Sequence, residues 1–227
     1  MGRKILKIIL SILLLSLLIV VLYSLNLKKT YRDEDFNIIY VKSKIDFDQD
    51  KSEDYLDFLI GAKKDAKNHP RYNGQYYAGG YPPENIGVCT DVIWRSFKEA
   101  GYSLRDMVDK DIMEYSKDYN EIIKRDKNID FRRVKNLKVF FDKYAQVLTT
   151  DIDKIDEWQA GDIVIFKDAK HIGLVSNKRN KIGHPYIIHN GGQIRREEDI
   201  LYKKNVLSHY RFDANLVDKD VLIRWND

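Results

Sequence analysis

The sequence is poor in cysteine, because Cys89 is the only one among 227 residues. A single thiol excludes a disulfide within the chain and any metal centre that needs several cysteine ligands. Low-complexity tracts and internal repeats are also missing. With 44% hydrophobic and 33% charged residues, the composition is that of a globular protein, long enough for one domain with its own core.

Most of the chain also lacks an excess of positive charge, although the formal net charge is +4. Three of the 39 basic residues, Arg3, Lys4 and Lys7, precede Asn26, which leaves 36 basic and 35 acidic residues in the remainder. Proteins that bind nucleic acid usually carry a clustered basic surface. No nucleic-acid partner is therefore expected.

Only one long hydrophobic run occurs, the 18 uncharged residues 8–25. As a helix this run spans about 27 Å, close to the thickness of a bilayer core. A cleavable signal peptide is the alternative, but no small-residue cleavage site and no cysteine for lipid attachment follow the run. The sequence therefore predicts a cytoplasmic tail at 1–7 and a transmembrane signal anchor at 8–25. The protein is expected in the cell membrane, crossing it once, with its C-terminal domain extracytoplasmic.

The remainder divides into helical patterns followed by strand patterns. Residues 26–51 are charged and mixed, which indicates a stalk or linker with one edge strand. Helical periodicity predicts helices after Ser52, over Thr90–Ala100, from Ser103 and around Val134–Tyr144. Short β-branched or aromatic runs then predict strands at 162–166, 171–177, 186–189, 209–212 and 221–225. Residues 52–227 are therefore expected to form an α+β domain with an antiparallel sheet.

Cys89 lies where a loop rich in glycine and tyrosine, 69–87, ends and a helix begins. The free N–H groups and the dipole of a helix start favour a thiolate, and a thiolate is a nucleophile. The alternative is that a lone cysteine is a small buried hydrophobic residue. Asp91, in the same turn, is interpreted as a helix-start acid and not as a general base.

A thiol nucleophile needs a base and a group that orients the base. His171 and His189 fall in consecutive predicted strands, and two antiparallel neighbours can bring such rings together. Each histidine can instead be a hydrogen-bonded residue of the sheet. His69, His184 and His209 are given that structural interpretation.

Four motifs follow one another in the chain: GGYPPENIGVCTDV, NIDFRRVKNL, WQAGDIVIF and HIGLVSN. Together they resemble the bacterial domain-of-unknown-function 1287 family, which is similar to the papain-like NlpC/P60 cell-wall cysteine hydrolases. The resemblance covers about Leu56 to Phe212. It implies a papain-like fold, with Cys89 as nucleophile, His171 as base and His189 as the orienting residue. One departure is that Val88 precedes the cysteine, where NlpC/P60 enzymes have an acid.

The resemblance further implies a hydrolase that cleaves amide bonds in peptidoglycan peptides and needs no cofactor for catalysis. Tyr77 is the expected second oxyanion donor beside the Cys89 N–H, or else a packing aromatic. Asp130 and Arg132 either bind a substrate carboxylate or form an internal brace, in which Asp130 pairs with Arg132 or Arg133. A non-catalytic wall-binding or scaffold domain is one alternative function. A lipid acyltransferase or thioesterase is another, but in those enzymes histidine usually precedes cysteine.

Segment 46–57, DFDQDKSEDYLD, has the spacing of a calcium-binding loop. The residues at positions 1, 3, 5, 7, 9 and 12 of such a loop are Asp46, Asp48, Asp50, Ser52, Asp54 and Asp57. Lys51 departs from the pattern, because glycine usually makes the sharp turn at position 6. The sequence thus predicts either a structural calcium ion or a solvated acidic linker capped by Ser52.

Overall fold

The computed structural model describes residues 2–27 and 30–226 and separates a unit that ends at Tyr31 from a unit that begins at Arg32. The first unit contains helix α1, Gly2–Leu27. Its segment Lys4–Leu22 is long and apolar enough to cross a membrane, a property that signal sequences share. The predicted apolar helix is confirmed. Three parts of the predicted segments lie outside the described residues: Met1 of the tail, residues 28 and 29 of the stalk, and Asp227 of the domain.

The second unit contains both helices and strands, and most of the helices precede most of the strands in the chain. The helices are α2 Asp54–Asn68, α3 Cys89–Glu99, α4 Leu104–Glu114 and α5 Val134–Tyr144. The strands are β1 Tyr31–Arg32 at the unit boundary, β2 Arg71–Tyr72, β3 Ile86–Gly87, β4 Gln146–Val147, β5 Ile163–Phe166, β6 Ile172–Arg179, β7 Pro185–Ile188, β8 Glu197–Glu198 and β9 Val206–Arg211. Short 3-10 helices occupy 33–36, 116–118, 130–132, 167–169 and 214–216.

The main sheet follows the order β4–β9–β5–β6–β7–β8, and each of these neighbouring pairs is antiparallel. Its centre is in register through Leu174, which lies opposite Ile163 on one side and Ile188 on the other. A separate parallel pair, β2 and β3, joins the two ends of the loop 69–87. The predicted α+β class with an antiparallel sheet is confirmed.

Both faces of the sheet are covered, and the alternation of β5 shows how. Ile163 and Ile165 face the core formed with the helices, whereas Val164 and Phe166 face a second, smaller cluster. The side chains of a strand point alternately to opposite faces, so a strand buried on both sides reads as a continuous apolar run. The smaller cluster contains Trp158, Val164, Phe166, Val175, Ile187, Ile200 and Leu201.

From Arg32 onward, the segment predicted as a stalk is part of the second unit. Ile38 is buried, and the Asp33 carboxylate accepts a hydrogen bond from the fully buried Arg179 guanidinium. Glu53, rather than Ser52, caps α2, because its carboxylate accepts hydrogen bonds from the first backbone N–H groups of that helix. The prediction of a linker up to residue 51 therefore differs from the structure.

The last predicted strand, 221–225, is also different in the structure. The segment is extended but lies against the turn after α3, where Ser103 N–H donates to Ile223 O (2.8 Å) and Trp225 N–H donates to Gly101 O (2.7 Å). These contacts place it beside the helices instead of at an edge of the sheet. Its apolar residues are half-buried against the main core, which the same alternating pattern permits.

Replacing Phe97 with alanine tests the aromatic core between the helices and the sheet. Phe97 is completely buried, and its ring centroid lies 4.7 Å from that of Phe58 and 5.0 Å from that of Phe212. We expect Phe97→Ala to lower the free energy of unfolding by about 3–5 kcal/mol in urea titrations of the detergent-solubilised chain. The matched control, Tyr202→Ala, removes an exposed ring and should change it by less than about 0.5 kcal/mol. Equal midpoints for the two variants would contradict this description of the core.

Candidate active site

Cys89 is the first residue of α3, directly after the extended Val88. The Asp91 carboxylate accepts the Val88 N–H at 2.7 Å, which closes the first turn of the helix. Helix α3 packs against β6, and the backbone N–H of Ile172 opposes the rise in the pKa of the Cys89 thiol. The thiol, only 8% exposed, therefore lies beside the residue that follows His171.

His171 and His189 lie at the same end of two antiparallel strands, since His171 directly precedes β6 and His189 directly follows β7. His171 Nε2 is 2.9 Å from His189 Nδ1, and the two rings are nearly perpendicular, with an interplanar angle of 87°. Gly173 permits this close approach, because a Cβ there would lie 2.5 Å from Ile187 Cγ2 and 3.2 Å from His189 Cβ. The structure thus brings the two histidines into one hydrogen-bonded pair.

Two further side chains hold the ring of His189. The Glu198 carboxylate lies 3.3 Å from His189 Nε2, on the strand β8 that pairs with β7. The Gln193 amide nitrogen donates to the His189 carbonyl oxygen at 2.8 Å and lies 3.1 Å from Nδ1. Its amide oxygen accepts the Gly191 N–H at 2.7 Å, which sets the orientation of the amide.

These partners assign the tautomers of both imidazoles. The Glu198 carboxylate lies next to His189 Nε2, so the ring proton is assigned to Nε2 and His189 Nδ1 carries a lone pair. That lone pair accepts the N–H of His171 Nε2, which leaves His171 Nδ1 unprotonated. His171 Nδ1 is therefore the nitrogen that can accept a proton from a neighbouring group.

Burial keeps the thiol and both imidazoles uncharged near neutral pH. It lowers the pKa of His171 to about 4 and that of His189 to about 3, and the positive charge of Lys204 adds to both shifts. Burial also raises the pKa of the Cys89 thiol, and hydrogen bonds from the Ile172 and Thr90 N–H groups oppose only part of that rise. The thiolate expected from the helix start is therefore not the resting form, since desolvation outweighs the helix contribution.

A buried ion pair anchors the turn that carries Cys89. Arg132 binds Asp91 through two parallel hydrogen bonds, Nε–Oδ1 at 2.8 Å and Nη2–Oδ2 at 2.9 Å, and both side chains are at most 1% exposed. Trp94 Nε1–H also donates to Asp91 Oδ1 at 2.7 Å, and Arg132 Nη1–H donates to Gln75 O at 3.0 Å. Asp91 is thus a helix-start acid, in agreement with its interpretation from the sequence.

The pairing of Arg132 differs from both sequence interpretations. Its guanidinium is buried against Asp91 and Gln75, which removes it from any surface that a substrate carboxylate can reach. Asp130 instead accepts the Asp126 N–H at 2.7 Å and lies 3.9 Å from Arg133 Nε. Asp130 therefore has the internal bracing role, with Arg133 as its ion-pair partner.

Tyr77 lies in the loop 69–87, with its ring 5.6 Å from the Arg132 guanidinium carbon. Its hydroxyl is buried and has no hydrogen-bond partner among the described residues. Asn190 fastens this loop to the segment after His189, because its side-chain amide donates to Pro70 O at 3.2 Å and to Gly87 O at 3.0 Å. Tyr77 is thus an unused donor in a loop tied to the histidine pair.

The other histidines have structural contacts. His209 is completely buried, stacks on Trp158 with ring centroids 3.8 Å apart and lies 2.9 Å from the Asp162 carboxylate. His184 lies 3.0 Å from an Asp153 oxygen, and His69 lies 2.7 Å from the Ile194 carbonyl oxygen.

Sequence reasoning missed Glu198, Gln193 and Asn190. Glu198 follows an identical residue, Glu197, which binds Lys63 and Lys178 instead, so residue type alone does not distinguish them. The register between β7 and β8 decides which glutamate reaches His189. For Gln193 the only signal was its short distance in sequence from His189.

The fold and the site define an α+β protein with one buried thiol beside a hydrogen-bonded histidine pair. The chain belongs to the family described as domain of unknown function DUF1287, which matches residues 59–212. It is 35% identical over 149 residues to the uncharacterized protein YijF of Escherichia coli strain K12, a match that covers 63% of this chain and 72% of that protein. No solved structure matches the chain.

Two adjacent arginines test the anchoring pair. Arg132→Met leaves the Asp91 carboxylate buried without its cation, so we expect the free energy of unfolding to fall by about 3–5 kcal/mol. Arg133→Met removes a side chain that is 53% exposed and should cost less than about 1 kcal/mol. Urea titration followed by circular dichroism measures both variants. If Arg133→Met were the more destabilising variant, the assignment of Asp91 to Arg132 would be wrong.

Proposed function

We propose that the second unit is a papain-like cysteine hydrolase that cleaves amide bonds. The observation that carries this proposal is the hydrogen-bonded pair of His171 and His189 at one end of the sheet. Cys89 begins the helix that packs against the strand after His171, and the Glu198 carboxylate lies 3.3 Å from His189 Nε2. A helix that starts with the nucleophile and packs against the strand of the base is also the arrangement implied by the resemblance to NlpC/P60 enzymes.

In this proposal Cys89 is the nucleophile and His171 is the base. His171 Nδ1 takes the thiol proton while the sulfur bonds to the carbonyl carbon of the amide. His189 Nδ1 accepts a hydrogen bond from the resulting imidazolium, and the negative charge of Glu198 stabilises it. Because thiol and imidazole are neutral at rest, proton transfer accompanies the attack instead of preceding it.

The carbonyl oxygen gains negative charge as the sulfur attacks. The Cys89 backbone N–H lies at the start of α3, where helix N–H groups have no partner within the helix, so it can donate to this oxygen. Tyr77 is the proposed second donor, supported by its buried and unpartnered hydroxyl.

The proton then moves from His171 to the nitrogen of the leaving amine, the C–N bond breaks and a thioester remains on Cys89. His171 next takes a proton from a water molecule, whose oxygen bonds to the thioester carbon. The C–S bond then breaks, which releases the carboxylic acid and leaves a thiolate on Cys89. The thiol recovers its proton from His171. Nucleophile, base and oxyanion donors are all groups of the chain, so this route needs no cofactor.

The proposed substrate is the peptide part of peptidoglycan. An apolar helix long enough to span a membrane precedes the second unit, which supports a single-pass anchor with that unit on the extracytoplasmic side. An amide hydrolase held there has the wall peptides as its nearest polymeric substrate. One observation favours a second candidate, a non-catalytic wall-binding domain on the same fold: Cys89 is only 8% exposed, as expected of a packing residue.

Cys89→Ser and His171→Gln test the proposed roles. We expect each to reduce the release of new amines from purified peptidoglycan by about 1,000-fold or more, because nucleophile and base act as a unit. The full chain in detergent is assayed by mass spectrometry of the muropeptides, with circular dichroism as the check on folding. His184→Gln, at a buried histidine away from the pair, should leave the rate unchanged. A folded Cys89→Ser variant with the wild-type rate would exclude catalysis by this thiol.

Substitutions of Glu198 test its proposed role beside His189, the residue that orients His171. Glu198→Ala should lower kcat by about 100-fold with little change in KM. It should also move the acidic limb of the kcat/KM profile to lower pH, because a carboxylate raises the pKa of the base and its removal lowers that pKa. Glu198→Gln retains an acceptor for His189 Nε2, so it should recover part of kcat. Because it carries no charge, it should not return the acidic limb of the kcat/KM profile to its wild-type pH. Glu197→Gln is the matched control, and a Glu198→Ala profile that superimposes on it would exclude the role of Glu198.

A further inference from the structure

The segment between the first strand and α2 concentrates negative charge in one tight loop. Oxygen atoms of Asp46, Asp48 and Asp50 all lie within 4.8 Å of one another. Calcium binds oxygen ligands at about 2.3–2.6 Å, so two ligands on opposite sides of one ion are about 5 Å apart. The three carboxylates therefore already have the spacing of oxygens around one such ion.

A fourth carboxylate, that of Asp57 on the first turn of α2, is buried next to this loop. Asp57 is 2% exposed, and its Oδ2 has no hydrogen-bond partner among the described residues. Burial raises the pKa of Asp57 to about 6, and the nearby charges of Asp50 and Asp48 raise it further. The Ser52 hydroxyl beside it lowers that pKa, but Ser52 Oγ is also buried without a partner in hydrogen-bond geometry.

The described residues supply no cation to this cluster. Across residues 2–27 and 30–226, no lysine, arginine or histidine nitrogen is recorded within 4.0 Å of the carboxylates of Asp46, Asp48, Asp50 or Asp57. Buried carboxylates are normally paired or coordinate metals, because an unpaired charge is costly to desolvate. A buried Asp57 oxygen without a partner, next to a loop with three further carboxylates, is an arrangement that a bound cation stabilises.

The backbone of the loop makes the sharp turn at position 6, although Lys51 stands there in place of glycine. Lys51 has φ +81°, the left-handed conformation that glycine usually supplies at position 6 of a calcium loop. The N–H groups of Asp50 and Lys51 donate to the Asp46 carboxylate at 3.1 and 2.9 Å, which keeps the turn closed. The lysine side chain therefore does not prevent the turn.

Asp54 differs from its predicted role as a direct ligand. Its Oδ1 accepts the Phe47 N–H at 3.0 Å, and its Oδ2 accepts the Tyr102 hydroxyl at 2.5 Å. Both oxygens are thus engaged within the protein. Position 9 of a calcium loop often contributes through a water molecule, so the loss of this direct ligand does not disrupt the pattern.

We propose that segment 46–57 binds one calcium ion through the carboxylates of Asp46, Asp48, Asp50 and Asp57. Ser52 occupies position 7, which supplies a backbone carbonyl in loops of this kind. An all-oxygen set with several carboxylates in a flexible loop suits calcium better than magnesium, which demands octahedral geometry and retains its water ligands.

The proposed calcium ion lies between the start of α2 and the end of α3. A Cβ on Gly101, just beyond the end of α3, would lie 2.6 Å from Asp48 Cβ, so the loop is in direct contact with that helix end. Asp57 belongs to the first turn of α2. Calcium therefore links the start of α2 to the end of the helix that begins at Cys89, and its role is structural.

Calorimetry and thermal unfolding of the full chain in detergent, stripped with EGTA, test this site without any assay of activity. We expect CaCl₂ to bind with a stoichiometry of one. At a concentration 100 times the Kd, it should raise the melting temperature by about 5–10 °C. No heat together with an unchanged melting temperature would exclude the site, and an equal response to the same concentration of MgCl₂ would exclude the assignment to calcium.

Three variants distinguish a bound ion from a merely acidic loop. Asp50→Asn should weaken calcium binding at least about 10-fold, whereas Asp220→Asn, at an exposed carboxylate elsewhere, should not change the affinity. Asp57→Asn removes the buried charge, so it should raise the melting temperature in EGTA and abolish the calcium-dependent rise. Wild-type affinity in Asp50→Asn, or a full calcium response in Asp57→Asn, would overturn the proposed ligands.

Discussion

The four hydrogen bonds accepted by Asp91 are the interaction on which the candidate site depends. Asp91 is fully buried in the first turn of α3, where it receives the Val88 N–H, the Trp94 indole and two bonds from Arg132. These bonds fix the direction in which α3 begins and therefore the position of the Cys89 sulfur. Arg132 extends the same anchor to the loop that contains Tyr77, through its bond to Gln75 O.

The histidine pair depends on a different constraint, the antiparallel pairing of β6 with β7. Because a shift of one residue moves every side chain to the opposite face, the register alone determines whether His171 and His189 meet. Gly173 allows the two strands to approach where the histidines lie. Burial then makes both rings weak bases, and the Glu198 carboxylate lies 3.3 Å from the Nε2 atom of His189.

Much of the fold is visible in the sequence because its elements are strongly periodic. The helices at Cys89–Glu99 and Val134–Tyr144 and the strand at Ile163–Phe166 lie within a few residues of their predicted positions. Contacts between distant segments are not visible in this way. Arg132 is two residues from Asp130 but pairs with Asp91, and only tertiary packing decides between these acids. Glu198 lies in a two-residue strand, too short to produce a periodic signal.

The members of the candidate site are spread over most of the folded unit. Cys89 begins α3, whereas Glu198 lies in β8, near the end of the sheet. The chain is synthesised from its N-terminus, so the thiol leaves the ribosome long before the histidine pair can form. No partly synthesised or unfolded form of the protein contains the assembled site. The candidate site therefore forms only after β8 has been synthesised and the unit has folded.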